Sequence, residues 1–189
     1  MKRLEINYTH GVMDTLVSLA RYNFVNRIIN KTDLKVLDFG CGSAYGTKVL
    51  KEKFTDVTAF DVYPDGYLPI DVEVIQDINI IKEHQFDIIT CFEVIEHLDG
   101  VAQEKLLDDL HGLTNKTGTL FISTVRKIDP PPTENRKTEH LKELTFSDFF
   151  DICSKRYNNI YTFGQIDQTI STFYQENNYH FVFICTNSK

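Results

Sequence analysis

The stretch Gly40-Cys41-Gly42-Ser43-Ala44-Tyr45-Gly46 carries three glycines within one short turn. A backbone bare of side chains lets a ligand come close to the N–H groups at the start of a helix. Acids surround the turn in sequence: Asp38 ahead of it, then Asp61 and Asp77. Further on, Glu93, Glu96 and His97 sit together, and His140 lies in a later polar stretch. Carboxylates and imidazoles in such a group can move a proton near neutral pH. The glycines depart from the dinucleotide fingerprint, whose third glycine would fall at Tyr45. Asp38 would also repel a pyrophosphate. The pattern therefore favours a nucleoside-like ligand without phosphates.

S-adenosylmethionine is such a ligand. Its ammonium can pair with Asp38, its carboxylate can accept from loop N–H groups, and Asp61 can accept both ribose hydroxyls. Asp77 is placed to accept the adenine amino group, with Val62 and Ile78 flanking the ring. The plain alternative is a strand-to-helix turn with Asp77 as a cap residue. Methyl transfer is an in-line displacement at a sulfonium, so an enzyme mainly aligns the nucleophile and removes its proton. His97 is the preferred proton acceptor, with Glu96 beside it, and His140 is the second candidate. Both histidines could instead be capping or exposed loop residues. His10, His84, His111 and His180 have no identifiable partner and are assigned surface or core roles.

These residues need an α/β frame that brings strand ends to one edge. Val12, Leu16, Leu19, Ala20, Phe24 and Ile28 recur at helical spacing, which predicts an amphipathic helix over residues 11–30. Strands are predicted at 35–39, 57–60, 72–75, 86–92 and 118–125, with helices at 44–53 and 101–113. That alternation predicts a Rossmann-like, doubly wound parallel sheet with helices on both faces. Residues 126–142 turn polar and contain Pro130-Pro131-Pro132, so a surface loop, placed to act as a lid, is expected before a helix at 147–155. Strands at 160–163 and 179–185 follow with too short a connection for a helical crossover, so they should pair antiparallel.

The chain has 189 residues, 42% hydrophobic and 12% aromatic, enough for one well-filled domain over 1–189. No run of about 18 apolar residues and no signal-peptide core is present, so a soluble, cytoplasmic protein with no membrane span is expected. Cys41, Cys91, Cys153 and Cys185 are too dispersed for a zinc site or disulfide framework. A formal net charge of −7 argues against tight, non-specific nucleic-acid binding. No long heptad repeat points to a coiled-coil assembly.

Val36-Leu37-Asp38-Phe39-Gly40-Cys41-Gly42 and Phe92-Glu93-Val94-Ile95-Glu96-His97-Leu98 together resemble the first and post-fourth-strand motifs of class I S-adenosylmethionine-dependent methyltransferases. Ala20-Arg21-Tyr22-Asn23-Phe24 and Glu139-His140-Leu141-Lys142-Glu143-Leu144-Thr145 are similar to segments of the small methyltransferase-domain group. The resemblance implies that Gly40, Cys41, Gly42, Phe92 and Glu93 line the cofactor site, with Arg21 and Tyr22 near its methionine end. Tyr22 could equally be a packing residue by periodicity. It further implies O-methylation of a small-molecule or glycan-type acceptor, with S-adenosylhomocysteine as product and no metal. One rival reading takes Glu93, Glu96, His97 and His140 as ligands of Mg²⁺ or Mn²⁺, similar to RNA 3′-terminal 2′-O-methyltransferases. The absence of Trp and of a basic stripe weighs against it, although Arg126, Lys127, Arg136 and Lys137 flank the loop. Another is a non-catalytic, S-adenosylmethionine-binding regulatory subunit, which the intact motifs disfavour.

Overall fold

The computed structural model describes residues 12–64, 71–172 and 178–189. The expected helix start at Gly11, His10, and part of the final inter-strand connection lie outside these. The elements run α1 (Val12–Ile28), β1 (Lys35–Phe39), α2 (Tyr45–Lys51), β2 (Asp56–Phe60), β3 (Val74–Ile75), α3 (Ile78–Lys82) and β4 (Phe86–Phe92). A 3₁₀ turn (Ile95–His97) leads to α4 (Gly100–Leu113), β5 (Thr114–Val125), α5 (Glu134–Glu139), α6 (Phe146–Ser154), β6 (Tyr157–Gln165), β7 (Ile170–Ser171) and β8 (His180–Ser188).

The strands form one sheet in the order β3-β2-β1-β4-β5-β8-β6-β7. Pairing from β3 through β5 is parallel, whereas β8 runs antiparallel to both β5 and β6. The sheet is thus the expected Rossmann-like, mostly parallel one with antiparallel C-terminal strands. Because the chain winds outward both ways from β1, a crevice opens beyond the carboxyl ends of β1 and β4, the usual ligand position in open α/β sheets.

Alternating residues of each strand feed opposite cores. Leu37, Ile89, Leu120, Ile122 and Phe183 face α3, α4 and α6, while Val36, Ile88, Phe121 and Ile184 face α1 and α2. Buried on both faces, these strands read as nearly continuous apolar runs. α4 starts on Asp99, whose side chain accepts from the N–H groups of Val101 and Ala102.

The first helix presents a different face from the one its apolar spacing suggests. Its buried residues are Ser18, Arg21, Tyr22 and Val25, while Leu16 and Ile28 are exposed. The helix lies over the crevice, where polar side chains find partners that an apolar-face pattern does not anticipate. Two short helices were also not expected. The apolar run of α3 is too short for a visible period, and α5 is wholly polar, started by Thr133 accepting from Arg136 N–H.

Candidate active site

A cavity of about 700 Å³ lies at the carboxyl ends of β1, β2, β4 and β5 and the start of β8. Gly40, Cys41, Gly42, Asp61 and Val62 form one part of its wall, and Arg21, Tyr22, Phe92 and Glu93 another. Glu96, His97 and His140 complete it, joined by Tyr179 and His180.

The glycine loop is shaped by backbone conformation and close packing. Gly40 and Gly42 have φ of +75° and +55°, which side chains rarely tolerate. A Cβ on Gly46 would lie 1.9 Å from Tyr22 Cζ, so the ring of Tyr22 closes directly over the first turn of α2. Asp61, buried at the end of β2, accepts from Gly42 N–H and from Tyr63 N–H, each at 2.8 Å. The cavity wall beside it carries no side chain at Gly40 or Gly42.

Asp38 is not on this wall. Fully buried, it accepts from Thr47 Oγ1 at 2.6 Å, Thr90 Oγ1 at 2.9 Å and Tyr22 Oη at 3.3 Å. Burial pushes its carboxyl up to about 6, against the opposing pull of these three hydroxyls. Its oxygens already bind the frame of the loop, so the expected pairing with the ligand's ammonium gives way to a structural role. Asp77 and Ile78 also stand off the wall. Asp77 is exposed and caps α3 through Asn79 N–H at 2.9 Å, and Ile78 packs against the core.

Arg21 is buried, donating to Gln165 Oε1 at 2.9 Å and Ser18 Oγ at 3.3 Å. Its Nε has no partner among the described residues. Glu93 adopts φ of +56° just past β4, and such strain in a non-glycine residue is common at functional sites. Its carboxylate accepts from Ser123 Oγ at 2.7 Å and lies 3.3 Å from His180 Nε2. Burial alone would raise Glu93, but the charges of His180 and Arg21 and two hydrogen bonds outweigh it and hold the group below its ordinary range.

Glu96 is buried and accepts from Thr124 Oγ1 at 3.0 Å. Burial, then the charge of Glu93, push it well above the usual carboxylate range. The two carboxyls are thus driven apart, Glu93 toward the charged form and Glu96 toward the neutral one. His97 Nδ1 meets the carbonyl of Glu139 at 2.9 Å. A carbonyl only accepts, so Nδ1 carries the proton and Nε2 keeps the lone pair. Burial lowers the pKa of His97, which favours the neutral ring. His140 is half-buried rather than an exposed loop residue, with Nδ1 2.7 Å from Glu143 Oε1. The His97 and His140 rings lie 5.0 Å apart, edge to face. One donor atom from each of Glu96, His97 and His140 lies within 4.8 Å of the other two. Glu93, the fourth member of the expected set, is held instead by Ser123 and His180.

Sequence reading missed Thr47, Thr90, Gln165 and His180. Thr90 stands opposite Asp38 in the β1–β4 register, a relation that needs the strand pairing. Gln165 and His180 enter through β6 and β8; β8 pairs with β5 and β6 with β8, relations that exist only in three dimensions. All four cysteines are buried thiols, and no helix among the described residues is long and apolar enough to cross a membrane.

A family model described as "Methyltransferase domain" matches residues 13–174. Similar curated proteins include the ubiquinone biosynthesis O-methyltransferase of Xylella fastidiosa (strain M23), 26% identical over 133 residues, covering 62% of this chain and 53% of that protein. The chain thus spans about half the length of the curated relatives it matches. A SAM-dependent methyltransferase from Archaeoglobus fulgidus superposes with a TM-score of 0.69 at 15% identity, over 92% of this chain and 93% of that one. The N-methyltransferase NodS from Bradyrhizobium japonicum WM9, in complex with S-adenosylhomocysteine, superposes with 0.62 at 16% identity, over 92% and 86%. By its motifs, its sheet and the matched family model, the chain belongs to the methyltransferase domain family, on the class I S-adenosylmethionine-dependent methyltransferase fold.

Proposed function

We propose that this protein transfers a methyl group from S-adenosylmethionine to a hydroxyl of a small-molecule or glycan-type acceptor. One observation carries the reading: the cavity joins the glycine loop and Asp61 at one part to Glu96, His97 and His140 at another. The residues fit the cofactor. Asp61 offers a carboxylate to a ribose diol, Gly40 and Gly42 let the backbone approach, and buried Arg21 offers a cation to a carboxylate. When bound, S-adenosylmethionine supplies a sulfonium-activated methyl group. His97, with Nδ1 spent on Glu139, presents Nε2 as the proton acceptor for the acceptor hydroxyl. The relatives named O-methyltransferases support oxygen as the acceptor atom.

Calorimetric titration with S-adenosylmethionine and S-adenosylhomocysteine tests the cofactor site. Asp61→Ala, losing charged hydrogen bonds to the ribose, should weaken binding by about 10- to 100-fold. No binding to the wild type would overturn the reading. Radiolabelled methyl transfer to hydroxyl-bearing and amine-bearing acceptors then distinguishes oxygen from nitrogen.

The convergence of Glu96, His97 and His140 favours a second reading, in which these three hold a divalent cation. Their one oxygen and two nitrogen donors suit Mn²⁺ better than Mg²⁺, which prefers oxygen ligands, and such an ion would lower the pKa of an acceptor hydroxyl. An RNA 3′-terminal acceptor belongs to this reading. Against RNA, Arg136 is buried on Glu143, and Lys137 pairs with Glu134. Methylation of RNA 3′ ends that requires Mn²⁺ and disappears in His140→Ala would select it over the small-molecule acceptor.

A further inference from the structure

The segment 139–143 meets the candidate site at successive points. The carbonyl of Glu139 accepts from His97 Nδ1 at 2.9 Å, and Lys142 N–H donates to the carbonyl of Glu96 at 3.2 Å. The carbonyl of Lys142 accepts from buried Gln103 Nε2 at 2.7 Å, which also donates to the carbonyl of Ile95 at 3.0 Å. Nothing apolar in α5 holds this segment down. Beside Leu144, which is buried in the core, its polar anchor is Glu143, whose side chain is 9% exposed. One carboxylate accepts from Ile128 N–H at 3.2 Å, Arg136 Nη2 at 3.0 Å, Arg136 Nε, and His140 Nδ1 at 2.7 Å. Arg136 in turn donates to the carbonyl of Arg126 and lies 5.0 Å from the ring centroid of Tyr179, a cavity residue.

We infer that Glu143 is the positioning residue of the site: by accepting the Nδ1 proton of His140 it selects the tautomer whose Nε2 lone pair is available to the Glu96–His97–His140 cluster. The same carboxylate, through Arg136 and Ile128, ties that ring to the chain leaving β5. A carboxylate behind a functional imidazole fixes both ring orientation and tautomer. The inference rests on His140 belonging to the site. The two histidines are thus prepared alike, His97 by a backbone carbonyl and His140 by Glu143, each with Nδ1 occupied.

The test is long-range ¹H–¹⁵N correlation on the full chain with ¹⁵N-labelled histidine, at about pH 9 where an ordinary imidazole is neutral. His140 is assigned by its disappearance in His140→Gln. The wild type should show His140 as the Nδ1–H tautomer. In Glu143→Leu, which has no acceptor to offer Nδ1–H, it should shift toward the Nε2–H form that free imidazole side chains favour, whereas Arg136→Gln, which leaves Glu143 on His140, should keep Nδ1–H. An Nε2–H tautomer in the wild type overturns the inference by itself, so the test survives a variant that does not fold. An unchanged tautomer in folded Glu143→Leu also overturns it, because a merely structural tie would lower stability and leave His140 as it was. Calorimetric titration with Mn²⁺ adds a second readout. Glu143→Leu should bind about 10- to 100-fold more weakly than wild type. A wild type that binds no Mn²⁺ but shows the expected tautomers removes the metal reading and leaves the role of Glu143 standing.

Discussion

Asp38 and Asp61 end neighbouring strands, yet the structure gives them different work. Asp61 joins two loops and faces the cavity, while Asp38 is sealed beneath three hydroxyls. The difference has a measurable consequence. In the folded chain the Asp38 carboxyl titrates at about 6 instead of 3.8. Its contribution to stability is therefore full below about pH 4 and is lost as the pH rises through 6. Asn does not titrate, so Asp38→Asn should gain stability relative to wild type over that window, by at most about 3 kcal/mol. Urea unfolding of both proteins at pH 4 and pH 7 checks this, and a pH-independent difference would contradict it. Residue types alone marked both acids as notable; both are buried, and only Asp61 borders the cavity where a ligand can meet it.

At the level of elements, the site depends on how α1, α2 and the 126–145 connection seat against the sheet. Gly46→Ala would drive a methyl group into the Tyr22 ring, displacing α1 and weakening the Tyr22–Asp38 hydrogen bond. The expected cost is about 1–3 kcal/mol, with weaker cofactor binding, readable in parallel thermal melts and S-adenosylhomocysteine titrations. α6 begins with a reciprocal capping box between Thr145 and Asp148. Thr145→Ala should cost about 1 kcal/mol by chemical denaturation, leaving cofactor affinity unchanged because α6 lies away from the cavity wall. The strands and long helices were legible from their apolar runs and periods. α3, α5 and β7 were not, because each is too short or too polar for a period to emerge, and capping and tertiary hydrogen bonds hold them.

For the whole molecule, the decisive event is the return of β8 between β5 and β6. It carries Phe181, Phe183 and Cys185 into one core and Ile184 into the other, and its first residue, His180, reaches Glu93. Phe183 stacks on Phe149 with ring centroids 4.4 Å apart. Phe183→Ala should therefore cost about 3–5 kcal/mol in equilibrium unfolding, a larger loss than any single change at the cavity wall. Taken by itself, the sequence determined the fold class, the strand-end acids, the glycine loop and the Glu-x-x-Glu-His motif, because apolar period and residue type are local properties. Tertiary structure alone decided that Asp61 borders the cavity and Asp38 does not, that His140 comes to lie beside His97, that His180 reaches the cavity and that Gln165 holds Arg21. Those relations join residues tens of positions apart, and only strand pairing and side-chain burial bring them together.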